Sequence, residues 1–139
     1  MTFQVALEEF LAEPRNAMVA AIRQDGRPQM TPNWFVWEGG RFLISTTKDR
    51  AKYRMFLRDP RVQLAIDDST GFRSVLVDGM VTIWDDLDAA LPSFRAIRAK
   101  HSRPMGDDAE LKAELAAEQR ILLVVTPDKP IEQWRVIGL

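Results

Sequence analysis

The 139-residue chain contains no cysteine and one histidine, His101. Without cysteine there is no disulfide, thiolate nucleophile, iron–sulfur cluster or cysteine-ligated zinc site. A single histidine cannot build a multi-histidine metal centre within one chain. A histidine-rich catalytic mechanism is excluded within one chain as well.

Long apolar runs are also missing. No stretch approaches the roughly 20 apolar residues that a membrane-spanning helix needs. The first residues carry Glu8, Glu9 and Glu13, where an export signal needs positive charge. We therefore expect a cytoplasmic protein with no membrane association. Its length and its 46% hydrophobic and 28% charged residues predict a single globular domain over residues 1–139.

Neither sign of charge is in excess, because the net charge is −1. This balance argues against a nucleic-acid partner. It conceals one basic stretch, since residues 41–61 hold seven basic and two acidic side chains. The stretch is either a binding surface or a solvated helix face that pairs with the acidic remainder of the chain.

Hydrophobic periodicity predicts a mainly β protein, a β-barrel with α insertions. A short helix lies between Thr2 and Pro14. Strands at 16–23, 28–37 and 41–46 form a meander, and a helix with Tyr53, Phe56 and Leu57 on its apolar face follows at 50–58. The remaining predicted elements are strands at 61–67 and 72–84, a helical region from 85 to 119 broken near 102–106, and strands at 120–126 and 131–137. Gly79 marks a bulge or a close approach of backbones.

The passage from strand 41–46 into helix 50–58 has the chemistry of a phosphate pocket. A helix N-terminus exposes backbone N–H groups and carries a partial positive charge. Ser45, Thr46 and Thr47 add hydroxyl groups, and Arg50 and Lys52 add formal charge. The glycine-rich pattern of a P-loop is absent from the sequence.

Three segments taken together resemble a known family. They are residues 25–37 (DGRPQMTPNWFVW), 42–54 (FLISTTKDRAKYR) and 57–62 (LRDPRV). Their order and spacing resemble the pyridoxamine 5′-phosphate oxidase-like split-barrel superfamily, and more closely its branch that uses the deazaflavin coenzyme F420 rather than FMN. The resemblance covers residues 5–84 well and the C-terminal third less well.

The resemblance implies a six-stranded antiparallel split β-barrel that forms a homodimer, with cofactors in clefts at the subunit interface. It implies that the cofactor ring lies along Met30, Thr31, Pro32, Asn33 and Trp34. The phosphate is expected to be held by Ser45, Thr46, Thr47, Arg50 and Lys52, with Trp134 approaching the partner's cleft. From its position on the strand, Arg73 either reaches the partner's cofactor or is exposed to solvent. One departure is Met55, which follows Arg54 where relatives carry an amide side chain.

The function implied is hydride transfer between coenzyme F420 and a small conjugated acceptor such as a quinone or an enone. FMN-dependent oxidoreduction is the close alternative, and a non-catalytic flavin or haem carrier is another. A single-strand nucleic-acid binder is disfavoured by the near-neutral net charge. We expect no metal site, because Asp67, Asp68, Asp85 and Asp86 fall at element boundaries where Asp caps helices and turns. His101 is expected to be a cation at a helix C-terminus.

Overall fold

A computed structural model describes residues 2–139; Met1, the first residue of the expected domain, lies outside the described residues. The first helix, α1, begins after Thr2, whose hydroxyl accepts a hydrogen bond from the Val5 amide at 3.2 Å. The helices are α1 Phe3–Ala12, α2 Ala51–Arg58, α3 Leu87–Lys100 and α4 Asp108–Ala117, with a 3₁₀ turn at Ile131–Gln133. The strands are β1 Ala17–Ile22, β2 Pro28–Asn33, β3 Phe35–Glu38, β4 Arg41–Thr47, β5 Arg61–Asp67, β6 Ser74–Trp84, β7 Arg120–Pro127 and β8 Arg135–Ile137.

One curled antiparallel sheet forms the body of the protein. Its strand order is β2-β1-β5-β6-β7-β4-β3, and β8 pairs with the start of β6. The strands at the two ends of this order, β2 and β3, are separated in sequence by Trp34 alone. The two edges must therefore adjoin, and the sheet closes into a half-barrel.

The structure corrects the prediction of one strand over 28–37 within a meander. The strand breaks at Trp34, whose carbonyl accepts a hydrogen bond from the Ser45 amide at 3.4 Å. After the break β3 pairs with β4 at the opposite edge of the sheet. This break and the late strand β8 give eight strands within residues 2–139 rather than six.

Strand alternation separates two apolar cores. On β4, Phe42 and Ile44 point into the barrel, while Leu43 points outward beneath α3 and α4. The outer core adds Phe94 and Leu111 from the two helices. The helical pair therefore covers the outer face of β4 and β7, beside the predicted phosphate pocket.

The helical region has the predicted boundaries. The Asp86 carboxylate accepts hydrogen bonds from the amides of Asp88 and Ala89, and Asp107 caps α4 in the same way. Residues 131–133 form a 3₁₀ turn instead of the start of a strand, because the Trp134 amide donates back to the Ile131 carbonyl at 3.2 Å. None of the helices within residues 2–139 is long and apolar enough to span a membrane.

Lys100 fastens α3 to two other elements. Its Nζ donates to the carbonyls of Leu11 at 2.7 Å and Phe35 at 3.0 Å, and it lies 3.7 Å from the centre of the Phe35 ring. Burial, together with the nearby Arg15 guanidinium, lowers the pKa of Lys100 from 10.5 to about 8.

This shift predicts that stability rises with pH above about 8. Between about 8 and 10.5 the unfolded chain holds the Lys100 proton while the folded chain has released it, so raising the pH favours the folded state. We expect the free energy of unfolding to climb more steeply with pH in the wild type than in Lys100→Met, by at most about 1.4 kcal/mol per pH unit. Urea unfolding of both proteins at several pH values measures the two slopes. Parallel slopes would contradict the prediction.

Candidate functional site

The predicted phosphate pocket lies where β4 ends and α2 begins. Thr46 and Thr47 are buried at the end of β4, and Arg50 is the N-cap residue of α2. The Arg50 amide donates to the Thr47 carbonyl at 3.2 Å, and the Lys48 amide donates to the Gln119 carbonyl at 3.1 Å. The turn is therefore fixed against the start of β7.

Lys52 is the most unusual residue of this junction. The sequence places Leu57 on the buried face of α2, but Leu57 is 62% exposed and Lys52 is only 5% exposed, one turn before the buried Phe56. Lys52 Nζ has neither a hydrogen-bond acceptor nor an ion-pair partner among residues 2–139. Burial, followed by repulsion from Arg50 and Arg120, lowers the pKa of Lys52. The ammonium group has no acceptor among residues 2–139 and is flanked by two guanidinium groups, so this arrangement suits an anion.

A cleft of about 230 Å³ lies beside the junction. Four residues predicted as site residues line this cleft, because the fold brings them together: Pro32, Asn33, Trp34 and Ser45. The Asn33 Nδ2 donates to the Ser45 carbonyl at 3.2 Å, and the Thr31 hydroxyl donates to Asn33 Oδ1 at 3.1 Å. The end of β2 and the end of β4 thus share one polar network.

Three arginines complete the cleft, and the sequence analysis missed all of them. Arg98 and Arg103 come from α3 and the segment after it, and Arg120 opens β7. Arg120 Nη1 donates to the Ser45 hydroxyl at 3.3 Å, because the register pairs Arg120 with Thr47 across β4 and β7. The sequence shows an arginine at the start of the buried strand 120–126. Whether that arginine reaches the site depends on which strand pairs with it, and the sequence does not reveal this.

Three predicted residues stand outside this cluster within one chain. Met30 is 55% exposed on β2. Arg73 Nε donates to Asp68 at 2.8 Å, and the Trp134 ring packs edge-on against Trp37 at 5.2 Å. Neither Arg73 nor Trp134 lines the cleft. Their contact with a cofactor held by a second chain stays a prediction.

His101 corrects one expectation. It stands at the C-cap of α3 as predicted, but its ring stacks on Trp34 with 4.2 Å between centroids and 3° between planes. Burial, with repulsion from Lys100, lowers the pKa of His101. The imidazole is therefore uncharged near neutral pH and acts as an aromatic support for the cleft wall.

A larger cavity of about 620 Å³ lies between α1, the β3–β4 turn and α3. Its cation, Lys100, already donates to two carbonyls, whereas Lys52 has no acceptor within the described chain. We therefore place the candidate site at the smaller cleft and the adjoining Lys52.

Comparison with known proteins gives one family match and several solved structures with the same fold. The family model of pyridoxamine 5′-phosphate oxidase matches residues 3–134. A solved F420 reductase is 28% identical, with a TM-score of 0.71 over 88% of this chain and 93% of that chain. Two further structures show the same fold.

The first is a conserved hypothetical protein from Mycobacterium tuberculosis, 19% identical, with a TM-score of 0.82 over 99% of this chain and 86% of that one. The second is a haem storage protein from Vibrio cholerae, 16% identical, with a TM-score of 0.76 over 100% of this chain and 97% of that one. The family match over nearly the whole chain identifies this protein as a member of the pyridoxamine 5′-phosphate oxidase family.

Proposed function

We propose that the protein is an oxidoreductase that binds coenzyme F420 and transfers hydride between it and a small conjugated acceptor such as a quinone or an enone. The observation that carries the proposal is the buried, unpaired Lys52 beside Arg50 and Arg120. Such a cluster of cations, next to the hydroxyl groups of β4, suits a phosphate group.

The residues present fit a phosphate-bearing cofactor. Lys52 and Arg50 would hold the phosphate, with hydroxyl donors from Ser45 and Thr46, because the Thr47 hydroxyl already donates to Asp49. Pro32, Asn33 and Trp34 would form the wall along the ring. When bound, the deazaflavin would supply the hydride chemistry. The protein then needs no nucleophile of its own, and its task is to orient the reactants and exclude water.

Two observations favour coenzyme F420 over FMN. The F420 reductase shares 28% identity with this chain. The junction also carries more positive charge than one phosphate requires. The Lys48 side chain is 41% exposed, and its one ion-pair partner among residues 2–139 is Asp85, at 4.0 Å. Surplus exposed charge suits the acidic oligoglutamate tail of F420 and would steer its association.

The decisive experiment is a titration of the purified protein with F420, FMN and haem, read by absorbance and fluorescence. We expect F420 to bind most tightly. Tight FMN binding with no F420 binding would establish the FMN-dependent alternative instead. Tight cofactor binding without reduction of any quinone or enone in a broad panel would support a carrier, the reading that the haem storage protein of the same fold suggests.

The proposal includes a homodimer with the cofactor at the subunit interface. Seven large apolar side chains are exposed among residues 2–139, among them Met30 at 55%, Phe72 at 80% and Ile137 at 61%. Exposed apolar surface of this kind favours a protein partner, here a second copy of the chain. Light scattering coupled to size-exclusion chromatography should report twice the chain mass for the cofactor-loaded protein. A loaded monomer would contradict the dimer.

Arg50→Ala is expected to weaken cofactor binding about three- to tenfold, because an exposed guanidinium contributes less than a buried charge. Lys48→Ala removes the same charge two residues earlier and is expected to change the affinity less than about twofold. The dissociation constant of each variant is measured by fluorescence titration. Equal, small effects of both variants would mean that the basic helix is a solvated face.

A further inference from the structure

A carboxylate stands directly behind the arginine that borders both the cleft and Lys52. Glu118 is the C-cap residue of α4, and its Oε2 accepts a hydrogen bond from Arg120 Nε at 2.8 Å. The hydrogen bond from Arg120 is the main reason that the pKa of Glu118 is lowered. Arg120 Nη1 in turn donates to the Ser45 hydroxyl at 3.3 Å. The carboxylate, the guanidinium and the hydroxyl form one chain of contacts from α4 to β4.

This series of hydrogen bonds leaves two donors available at the site. Because Ser45 Oγ accepts from Arg120, the Ser45 O–H is left to donate elsewhere. Arg120 Nη2 donates to no acceptor within residues 2–139, since Nε is held by Glu118 and Nη1 by Ser45. Glu118 is not a wall residue of the cleft, whereas Arg120 and Ser45 are.

We propose that Glu118 is a positioning residue, which fixes Arg120 so that Arg120 and Ser45 together bind the anionic phosphate of the cofactor. The inference rests on the proposed function and adds Arg120 to the phosphate-binding set. The arginine side chain has several rotatable bonds between its backbone and the guanidinium group, and ordering it at the moment of binding weakens binding. Glu118 imposes that order before the ligand arrives.

Electrostatics alone predicts the opposite effect of removing Glu118. A carboxylate close to an anion site repels the anion, so Glu118→Gln without a positioning role would strengthen binding. With the positioning role, the same change weakens binding, because Arg120 becomes mobile. The direction of the change in affinity therefore separates the two explanations.

Glu110 provides a control on the same helix. Its carboxylate makes no hydrogen bond or ion pair with any of the three cleft arginines among residues 2–139. Glu110→Gln removes the same charge from α4 and leaves the Glu118–Arg120 pair intact. The conservative variant Glu118→Asp keeps a carboxylate that is one methylene shorter.

The experiment measures the dissociation constants of F420 and FMN for the wild type and these three variants, with the melting midpoint of each. We expect Glu118→Gln to weaken binding about three- to tenfold. Glu110→Gln should leave the affinity unchanged or raise it, and Glu118→Asp should stay within about twofold of the wild type. Unchanged or tighter binding by Glu118→Gln would overturn the proposal, as would an equal loss in Glu110→Gln.

Inorganic phosphate serves as a second probe, followed by the broadening of its phosphorus resonance. If the wild type binds neither F420 nor FMN, the proposed function fails. The phosphate measurement then still tests Glu118, because weaker phosphate binding in Glu118→Gln than in Glu110→Gln supports the positioning role. The same phosphate affinity in both variants overturns it.

Discussion

Replacing Lys52 with Met is expected to weaken cofactor binding by about 10- to 100-fold. A hydrogen bond to a charged partner contributes about 1.5–3 kcal/mol, and each 1.4 kcal/mol is a factor of ten in affinity. The loss exceeds that expected for Arg50 because Lys52 is only 5% exposed and is therefore shielded from solvent. The measurement is a fluorescence titration with F420 or FMN, with Lys48→Met as the exposed control.

The same substitution should leave the cofactor-free protein at least as stable as the wild type. Lys52 has no acidic partner within residues 2–139, and its nearest charged neighbours, Arg50 and Arg120, repel it. Met keeps the long apolar stem that packs beside Phe56 and removes the buried charge. Affinity and stability therefore change in opposite directions, as expected for a residue retained for binding.

Urea unfolding of the cofactor-free proteins measures the stability side of this prediction. Addition of cofactor should then stabilise the wild type more than Lys52→Met, because ligand stabilisation grows with the ratio of ligand concentration to the dissociation constant. A parallel loss of stability and affinity would assign Lys52 a structural role and remove the main support for the proposed site.

Local signals in the sequence were sufficient for most elements of the fold. Capping residues located the starts of α1 and α3, composition located α4, and alternation located β5 with its observed bounds, Arg61–Asp67. The break at Trp34 was not predictable from the pattern, because residues 28–37 alternate as one strand would. The break follows from non-local pairings: β2 joins the sheet through β1 and β5, whereas β3 joins it through β4 and β7 at the other end of the strand order.

The candidate site likewise has one part that could be predicted from local sequence and another part that depends on non-local contacts. Ser45–Thr47, Arg50 and Lys52 lie close together in sequence, so their shared chemistry could be predicted from spacing. Arg98, Arg103 and Arg120 join the cleft only because β7 pairs with β4 and α3 packs beside them. The burial of Lys52 was also missed, because periodicity assigns the buried face of a helix to apolar residues such as Leu57.

Gly79 was predicted to mark a bulge or a close approach, and the structure shows a close approach. A Cβ atom at this position would lie 2.7 Å from the Thr126 carbonyl oxygen and 2.8 Å from the Val125 Cγ1. Gly79 is paired with Val62 on one side and with Pro127 on the other. Neither neighbouring strand can retreat without disturbing the sheet, so a side chain at residue 79 must force the strands apart.

Gly79→Ala is therefore expected to destabilise the protein by about 3 kcal/mol, the upper range for overpacking a well-packed interior. For a chain of this length, that corresponds to a fall in Tm of roughly 10 °C. Gly106→Ala is the matched control, because its Cβ would meet only the flexible Glu110 side chain. We expect that variant to stay within about 0.5 kcal/mol of the wild type. Thermal unfolding of both variants measures the contrast, and equal Tm values would show that β6 and β7 can separate at Gly79 without loss of the sheet.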